Sequence, residues 1–114
     1  MPKLRIDCEI PLSCATPELA EKISKFAPFG IGNPEPVFVT RGVMVEDARL
    51  VGNASQHLKL RVTRHVSRVT IDAIAFGMGE LYSQLSSDKP VDIAYTVGID
   101  RWNGNKKVQL KIKD

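Results

Sequence analysis

The sequence has few of the residues on which catalytic and metal sites usually depend. It contains two cysteines and two histidines, and neither His57 nor His65 has a cysteine or carboxylate at metal-ligand spacing. We therefore assign no metal site and no catalytic residue, because no nucleophile, base and orienting group converge in its motifs. Cys8 and Cys14 lie in apolar surroundings of a chain without secretory features, so we expect buried or half-buried free thiols.

Long hydrophobic runs are also missing. No apolar stretch approaches the roughly 20 residues needed to span a bilayer, and the N-terminus lacks an apolar signal-peptide core. With 114 residues, of which 43% are hydrophobic and 25% charged, the chain has the size and composition of one globular domain. We expect a soluble, cytoplasmic protein with a single core and no membrane partner.

Acidic residues are missing from the two most basic segments of the chain. Residues 48–71 contain five basic side chains and no acid, and residues 101–113 contain five more, again with no acid. The remaining residues hold six basic against thirteen acidic side chains, so a net charge of +3 conceals two strongly positive segments. If these segments are neighbours in space, they form a local surface that attracts phosphates.

The N-terminal third is predicted to hold one strand and one helix. Residues 4–10 alternate between apolar and polar side chains, as in a short strand. Thr16 can cap a helix whose first position is Pro17, and residues 28–36 end it with three prolines and two glycines, which predict an irregular connection. The apolar face of this helix consists of Leu19, Ala20, Ile23 and Phe26.

From residue 37 the period of the apolar residues becomes two, which predicts strands. We expect a bend or bulge at Gly42, where the first long strand is interrupted. The pair Asn103 and Gly104 predicts a hairpin between the last two strands. The predicted strands cover residues 37–50, 57–64, 69–76, 91–99 and 107–113, with a short helix over 80–85.

This order, with one helix between the third and fourth of five strands, is the layout of an OB-fold, a partly open Greek-key barrel. The predicted fold class is therefore mainly β. Residues 1–36 form an N-terminal strand, helix and Pro/Gly-rich connection, and residues 37–114 form the barrel. OB-folds bind oligonucleotides on their second and third strands and the adjoining loops, which is where the two basic segments fall.

Several motifs follow one another along the chain. They are Pro-Phe-Gly-Ile-Gly-Asn-Pro at 28–34, Val-Gly-Asn at 51–53, His-Leu-Lys-Leu at 57–60, Ala-Phe-Gly at 75–77 and Trp-Asn-Gly at 102–104. Together they resemble the C-terminal OB-fold region of RecJ-type single-stranded-DNA-specific exonucleases, a part of the DHH superfamily. The resemblance runs from about residue 6 to residue 114.

The resemblance implies a parent protein that is a metal-dependent exonuclease, a hydrolase acting 5'-3' on single-stranded DNA in recombination and repair. Its Mn²⁺ or Mg²⁺ would lie in a catalytic domain with an Asp-His-His motif, which this sequence lacks. We therefore expect no activity and no cofactor for this chain alone, which would be a fragment, since family members usually continue past Asp114. Asp100 departs from the family pattern, in which we expect an asparagine.

The candidate binding residues come from the basic segments and the last hairpin. Lys59 and Arg61 are expected to track phosphates, and a merely solvated basic face is the alternative. Trp102 could stack on a base or fold over the barrel end as a plug, and His57 could donate to a phosphate or fix its own loop. The predicted nucleic-acid-binding residues are His57, Lys59, Arg61, Arg64, Arg68, Arg101, Trp102, Asn103, Lys106 and Lys107.

Two functions stay open at this point. The first is a module that binds single-stranded nucleic acid, which the resemblance implies is DNA, beside the remaining domains of the parent nuclease. The second is a protein docking module that packs on the nuclease core or on a replication or repair partner. A dependence of affinity on strand length favours the first, and indifference to oligonucleotide length favours the second.

Overall fold

A computed structural model describes residues 6–30, 32–64, 66–102 and 104–114 of the chain, apart from the side chain of Trp102. The strands within these residues are β1 (Cys8–Glu9), β2 (Phe38–Val51), β3 (His57–Arg64), β4 (Val69–Ala75), β5 (Val91–Trp102) and β6 (Asn105–Ile112). The α-helix is α1 (Pro17–Ser24). Short 3₁₀ helices cover Leu12–Cys14, Asn53–Ser55 and Gly79–Gln84.

The five long strands close into a barrel. β2 pairs antiparallel with both β3 and β5, and the β3–β4 and β5–β6 pairs are also antiparallel. The parallel pairing of β4 with β6 completes the ring, which is the strand order of an OB-fold. The predicted fold class is confirmed. The predicted N-terminal strand is present as β1, which pairs parallel with β2, and the predicted short helix between β4 and β5 is a 3₁₀ helix.

β2 reaches both sides of the barrel because it bends at Gly42. This glycine has a φ of +69°, which side-chain-bearing residues rarely adopt, and the register with β5 shifts between Thr40 and Val43. The carboxylate of Asp92 accepts a hydrogen bond from the Gly42 N–H at 2.9 Å, and Arg64 Nη1 donates to the Gly42 carbonyl at 2.8 Å. The bulge predicted at this glycine is confirmed.

Alternate side chains of the strands fill the barrel. On β3, Leu58, Leu60 and Val62 are buried, whereas Lys59 and Arg61 between them remain accessible to solvent. Tyr95 of β5 is the largest fully buried side chain among the described residues. The other side chains with no more than 2% exposure include Leu12, Val43, Ala73, Ala75 and Leu110.

A chain of hydrogen bonds links β5, β2 and the N-terminal segment. The Thr40 hydroxyl donates to the Ile10 carbonyl at 2.7 Å, so it accepts the proton of the Tyr95 hydroxyl, 2.6 Å away. Burial raises the pKa of the Tyr95 hydroxyl above its ordinary value of 10.0. Tyr95 therefore remains protonated in the folded barrel at neutral pH.

The two cysteines are free but differ in burial from the prediction. Cys8 and Cys14 are both exposed. Cys8 belongs to β1, which lies at the edge of the sheet with β2 on one side only, and Cys14 ends a 3₁₀ turn before α1. The prediction of buried thiols was wrong because local apolar sequence does not reveal that these segments lie on the outside of the barrel.

The helix begins as predicted and ends earlier. Thr16 Oγ1 accepts a hydrogen bond from the Leu19 N–H at 3.2 Å, which caps α1. The helix stops at Ser24, so Phe26 lies in the turn after it and is 70% exposed instead of completing the apolar face. The division of the chain between residues 36 and 37 stays a prediction.

Tyr95→Phe is expected to lower the free energy of unfolding by about 1 kcal/mol near neutral pH, because it removes one buried hydrogen bond. Above the ordinary pKa of 10.0, the unfolded chain releases the Tyr95 proton while the folded chain keeps it, so wild-type stability falls as the pH rises. The Tyr95→Phe variant has no hydroxyl proton at this position, so its stability does not change with pH for this reason. The difference in stability between the two proteins should therefore shrink in alkaline solution.

Urea unfolding followed by circular dichroism at neutral and alkaline pH measures this difference. Tyr82→Phe is the matched control, since Tyr82 is 46% exposed and should unfold like the wild type at neutral pH. A Tyr95→Phe difference that stays constant across the alkaline range would contradict the assignment of a retained proton to Tyr95.

Candidate nucleic-acid interface

A row of side chains crosses four strands on the outside of the barrel. The register places Arg49 of β2 opposite Lys59 of β3, and Lys59 opposite Ile74 of β4. Lys111 of β6 pairs with Ile74 from the other side. We call Arg49, Lys59, Ile74 and Lys111 the basic row. Neighbouring members belong to strands about 4.8 Å apart, so three cations are concentrated on one face.

The cations of the basic row have no carboxylate within 4.0 Å among the residues described above. The ion pairs found there join Arg41 to Glu9 and Asp92, Arg61 to Asp72, and Lys106 to Glu21. Like charges directly opposite one another across two strands, as at Arg49 and Lys59, destabilise a sheet. The basic row therefore costs stability and leaves positive charge available to an anion.

The register also brings acids to basic segments that contain none in sequence. Arg61 pairs with Asp47 of β2 and with Asp72 of β4, and its Nε atom lies 3.5 Å from Asp72 Oδ1. Asp100 stands opposite Lys107 in the β5–β6 pair. Arg61 and Lys107 are partly neutralised by these neighbours, whereas no carboxylate stands directly opposite Arg49, Lys59 or Lys111 in the strand register.

The two basic segments are neighbours in space. Lys59 of the first and Lys107 of the second line one surface groove of about 350 Å³, together with Asp72, Asp100 and Asn105. A second groove of about 560 Å³ shares Asp72 and Lys107 with the first and continues to the turn before α1, where Ala15 lies. The sequence alone left open whether the two basic segments are neighbours. In the structure they are, because the last hairpin and β3 border the same surface.

An exposed aromatic ring that sequence reasoning missed lies beside the basic row. Phe76 follows β4 and is 55% exposed. Its ring centre lies 5.2 Å from that of His57, with the planes at 81°, and 5.9 Å from the Lys111 ammonium. The alternation of side chains along β4 could have predicted this exposure. Phe76 is two residues after the outward-facing Ile74, so its side chain lies on the same face of the sheet.

His57 fixes the turn that follows β4. Its Nδ1 accepts a hydrogen bond from the Gly77 N–H at 2.9 Å, so the proton of a neutral imidazole lies on Nε2. The amide nitrogen of Gln56 lies 3.1 Å from His57 Nε2, and a half-turn of that amide would present its oxygen as the acceptor of the Nε2 proton. These bonds favour the loop-fixing role for His57, and its predicted contact with phosphate stays a prediction.

The turn between β2 and β3 packs closely on the segment after β4. The buried Gly79 donates its N–H to the Gln56 carbonyl at 3.0 Å. A Cβ atom at Gly79 would clash with the carbonyl oxygen of Ser55, so only glycine permits this approach. The contact holds the loop beside His57 and Phe76 at one end of the basic row.

Comparison with known proteins identifies the family. The RecJ OB domain family matches residues 6–114. This chain belongs to the RecJ OB domain family. It is 31% identical over 110 residues to the single-stranded-DNA-specific exonuclease RecJ of Bacillus subtilis, a match that covers 93% of this chain and 14% of that protein. The RecJ of Haemophilus influenzae is 35% identical over 96 residues, covering 83% of this chain and 16% of that protein.

Solved structures agree with this assignment. The crystal structure of RecJ from Thermus thermophilus in complex with Mn²⁺ matches with a TM-score of 0.69 and 25% identity, over 96% of this chain and 15% of that chain. Its complex with Mg²⁺ matches with a TM-score of 0.66 at the same identity. This RecJ OB domain therefore spans less than one fifth of its relatives, at 14% to 18% of their length.

Two predicted site residues of this RecJ OB domain lie at the far end of β3. Arg64 is half-buried and bonded to the Gly42 carbonyl at 2.8 Å, which favours a structural role at the bulge. Arg68 is exposed in the turn between β3 and β4 and has a φ of +57°. Neither residue belongs to the basic row, and their contact with nucleic acid stays a prediction.

The remaining predicted residues lie at the β5–β6 hairpin. Arg101 and Lys106 pair with one another across the hairpin, and both are exposed. Lys106 Nζ also lies 3.9 Å from Glu21 Oε1 of α1. Asn103 and the side chain of Trp102 lie outside the described residues, so the stacking role of Trp102 stays a prediction.

Neither a cluster of metal-binding side chains nor a membrane-spanning helix occurs in the described part of the RecJ OB domain. In residues 6–30, 32–64, 66–102 and 104–114, no three His, Cys, Asp or Glu side chains cluster closely enough to hold a metal ion. Over the same residues, no helix is both long and apolar enough to cross a membrane.

Lys59→Glu is expected to leave the free energy of unfolding unchanged or to raise it by about 0.2–1 kcal/mol, because it turns a like-charge pair with Arg49 into an opposite-charge pair. Thermal or urea unfolding at low salt measures the change, which should shrink as salt is added. Lys89→Glu makes the same charge change at an exposed position before β5 and serves as the control. A loss of more than about 1 kcal/mol in Lys59→Glu alone would contradict the expected like-charge repulsion.

Proposed function

We propose that this chain binds single-stranded DNA on the outer face of β3 and β4, as the strand-gripping module of a RecJ-type 5'-3' exonuclease. The basic row carries the proposal, because its three cations have no carboxylate within 4.0 Å in the described ranges and lie on the face where OB-folds bind oligonucleotides. The names of the relatives, single-stranded-DNA-specific exonucleases, support DNA as the ligand.

The spacing of the basic row suits an extended, negatively charged strand. Arg49 and Lys59 are on adjacent strands, and Lys59 and Lys111 are two strands apart, so cations follow one another at about 5–10 Å. A DNA strand that crosses the barrel strands can meet these cations with successive phosphates. Because phosphate contacts carry no sequence information, we expect binding without strong sequence preference.

The parent protein would do its chemistry elsewhere. We propose that it degrades single-stranded DNA in recombination and repair in the cytoplasm, with Mn²⁺ or Mg²⁺ in a catalytic domain outside this chain. The greater length of the relatives and the Mn²⁺ and Mg²⁺ complexes of Thermus RecJ support this division. The OB domain would hold the strand while residues of the other domain react with it.

A docking role is the second candidate, and exposed apolar side chains favour it. Ile6 and Phe26 are both more than half exposed, in the N-terminal part of the domain. Ile6 lines a shallow groove with Val39, Ile93 and Ala94, where the first part of β2 pairs with β5, and no member of the basic row lines this groove. This surface could pack on the nuclease core or on a repair partner.

Fluorescence anisotropy with labelled oligonucleotides tests the DNA-binding proposal. The chain should bind single strands in preference to duplex and bind longer strands more tightly. Contacts with three phosphates predict a slope of about −2 in a plot of log K against log salt, at about 0.7 per contact. No binding even at low salt would shift the conclusion to the docking role.

Charge reversal locates the site. Lys59→Glu with Lys111→Glu should abolish measurable binding or reduce the salt slope by at least about 1.4, because two phosphate contacts are lost. Lys22→Glu with Lys89→Glu is the matched control, since it also changes the net charge from +3 to −1 but alters exposed residues outside the basic row. An equal loss in both variants would mean that net charge, and not the basic row, governs binding.

A further inference from the structure

Phe76 is placed where a ligand can reach it. It is 55% exposed directly after β4, on the same side of the sheet as the basic row, whereas the apolar residues of β4 itself are at least half-buried. Lys111 is a member of the basic row, and its ammonium lies over the Phe76 ring, 5.9 Å from the ring centre. An aromatic surface and a phosphate-attracting charge therefore lie side by side.

We propose that Phe76 is a stacking platform for one base of the bound strand, and that Lys111 contacts the phosphate next to that base. This proposal rests on the proposed function and adds a subsite to it. Aromatic side chains beside a positive groove bind single strands in this way, since every base has a flat face that can stack. The base is recognised by its flat shape and not by its identity.

The ring is held in place before DNA arrives. His57 meets Phe76 in a T-shaped contact, and the same His57 is fixed through its Nδ1 by the Gly77 N–H at 2.9 Å. Gly79 anchors the next turn to Gln56 through a backbone hydrogen bond of 3.0 Å. A side chain that is already ordered loses less conformational entropy on binding, so the stacking energy contributes more fully to affinity.

Lys111 can exchange its contact with the ring for one with DNA. Its Nζ lies 5.9 Å from the ring centre, close to the limit of about 6 Å for a favourable cation–π interaction. The four-carbon stem of lysine lets the ammonium move without a change in the backbone. A base can therefore take the place beside Phe76 while the ammonium moves to the adjacent phosphate.

Phe76 and the hairpin would contact different nucleotides. β4 and β6 are parallel, with Asp72 beside Gln109 and Ile74 beside Lys111. Phe76 therefore lies level with the end of β6, whereas Trp102 lies next to the loop that precedes its start. The subsite at Phe76 is separate from the stacking role predicted for Trp102.

A double-mutant cycle between protein and DNA tests the proposal. Two DNA strands are compared. The first is an oligothymidylate of about 12 nucleotides, within the usual range of OB-fold sites, and the second is a fully abasic strand of the same length and charge. Phe76→Leu should weaken binding of the thymidine strand by about 5- to 100-fold, and should change binding of the abasic strand by less than about twofold. Phe76→Tyr, which keeps the ring, should restore wild-type binding.

The controls separate this proposal from the proposed function. Phe26→Leu changes an even more exposed phenylalanine outside the basic row and should bind both strands like the wild type. Normal binding of the thymidine strand by Phe76→Leu, or an equal loss on both strands, would overturn the stacking role. If Lys59→Glu with Lys111→Glu still abolishes binding, the DNA-binding function survives that result. If the wild type binds neither strand at low salt, both proposals fail together.

Discussion

The bend of β2 at Gly42 is the constraint on which the rest of the structure depends. Because β2 turns there, its first part pairs with β5 and its later part with β3, and the sheet can close through the β4–β6 pair. Closure is what brings Lys111 of the last strand beside Ile74 and so into line with Lys59. Hydrogen bonds from Arg64 and to Asp92 hold the bend, so residues outside the basic row help to shape the face that carries it.

The charge on the barrel face that carries the basic row depends more on the pairing register of the strands than on amino-acid composition. Asp47, Asp72 and Asp100 all come from outside the basic segments, yet strand pairing places them beside Arg61 and Lys107. Within the part of the chain that the structure describes, Arg49, Lys59 and Lys111 of the basic row form no such pair. A repulsive pair such as Arg49 and Lys59 lowers stability, and proteins commonly accept such a cost where function needs it.

The architecture separates a rigid face from surfaces available to the rest of a longer protein. The turn after β4 is fixed by His57 and by the close approach at Gly79, so both the aromatic ring and the basic row belong to well-anchored parts of the barrel. The N-terminal segment instead adds β1 to the edge of β2 and leaves Ile6 and Phe26 exposed. The basic row and these exposed apolar side chains thus involve different residues of one small domain.

The sequence by itself determined the strands, the capped start of α1, the bulge at Gly42 and the OB-fold order, because periodicity and turn chemistry act over a few residues. It also indicated Lys59 and Arg61 as outward side chains of β3. Only the tertiary structure decided that Arg61 is paired with Asp72, that Arg64 is bonded to Gly42, and that Phe76 joins Lys111. The tertiary structure also decided that Cys8 and Cys14 are exposed to solvent. These outcomes depend on pairing between strands distant in sequence, and local patterns carry no information about which residues become neighbours across the closed barrel.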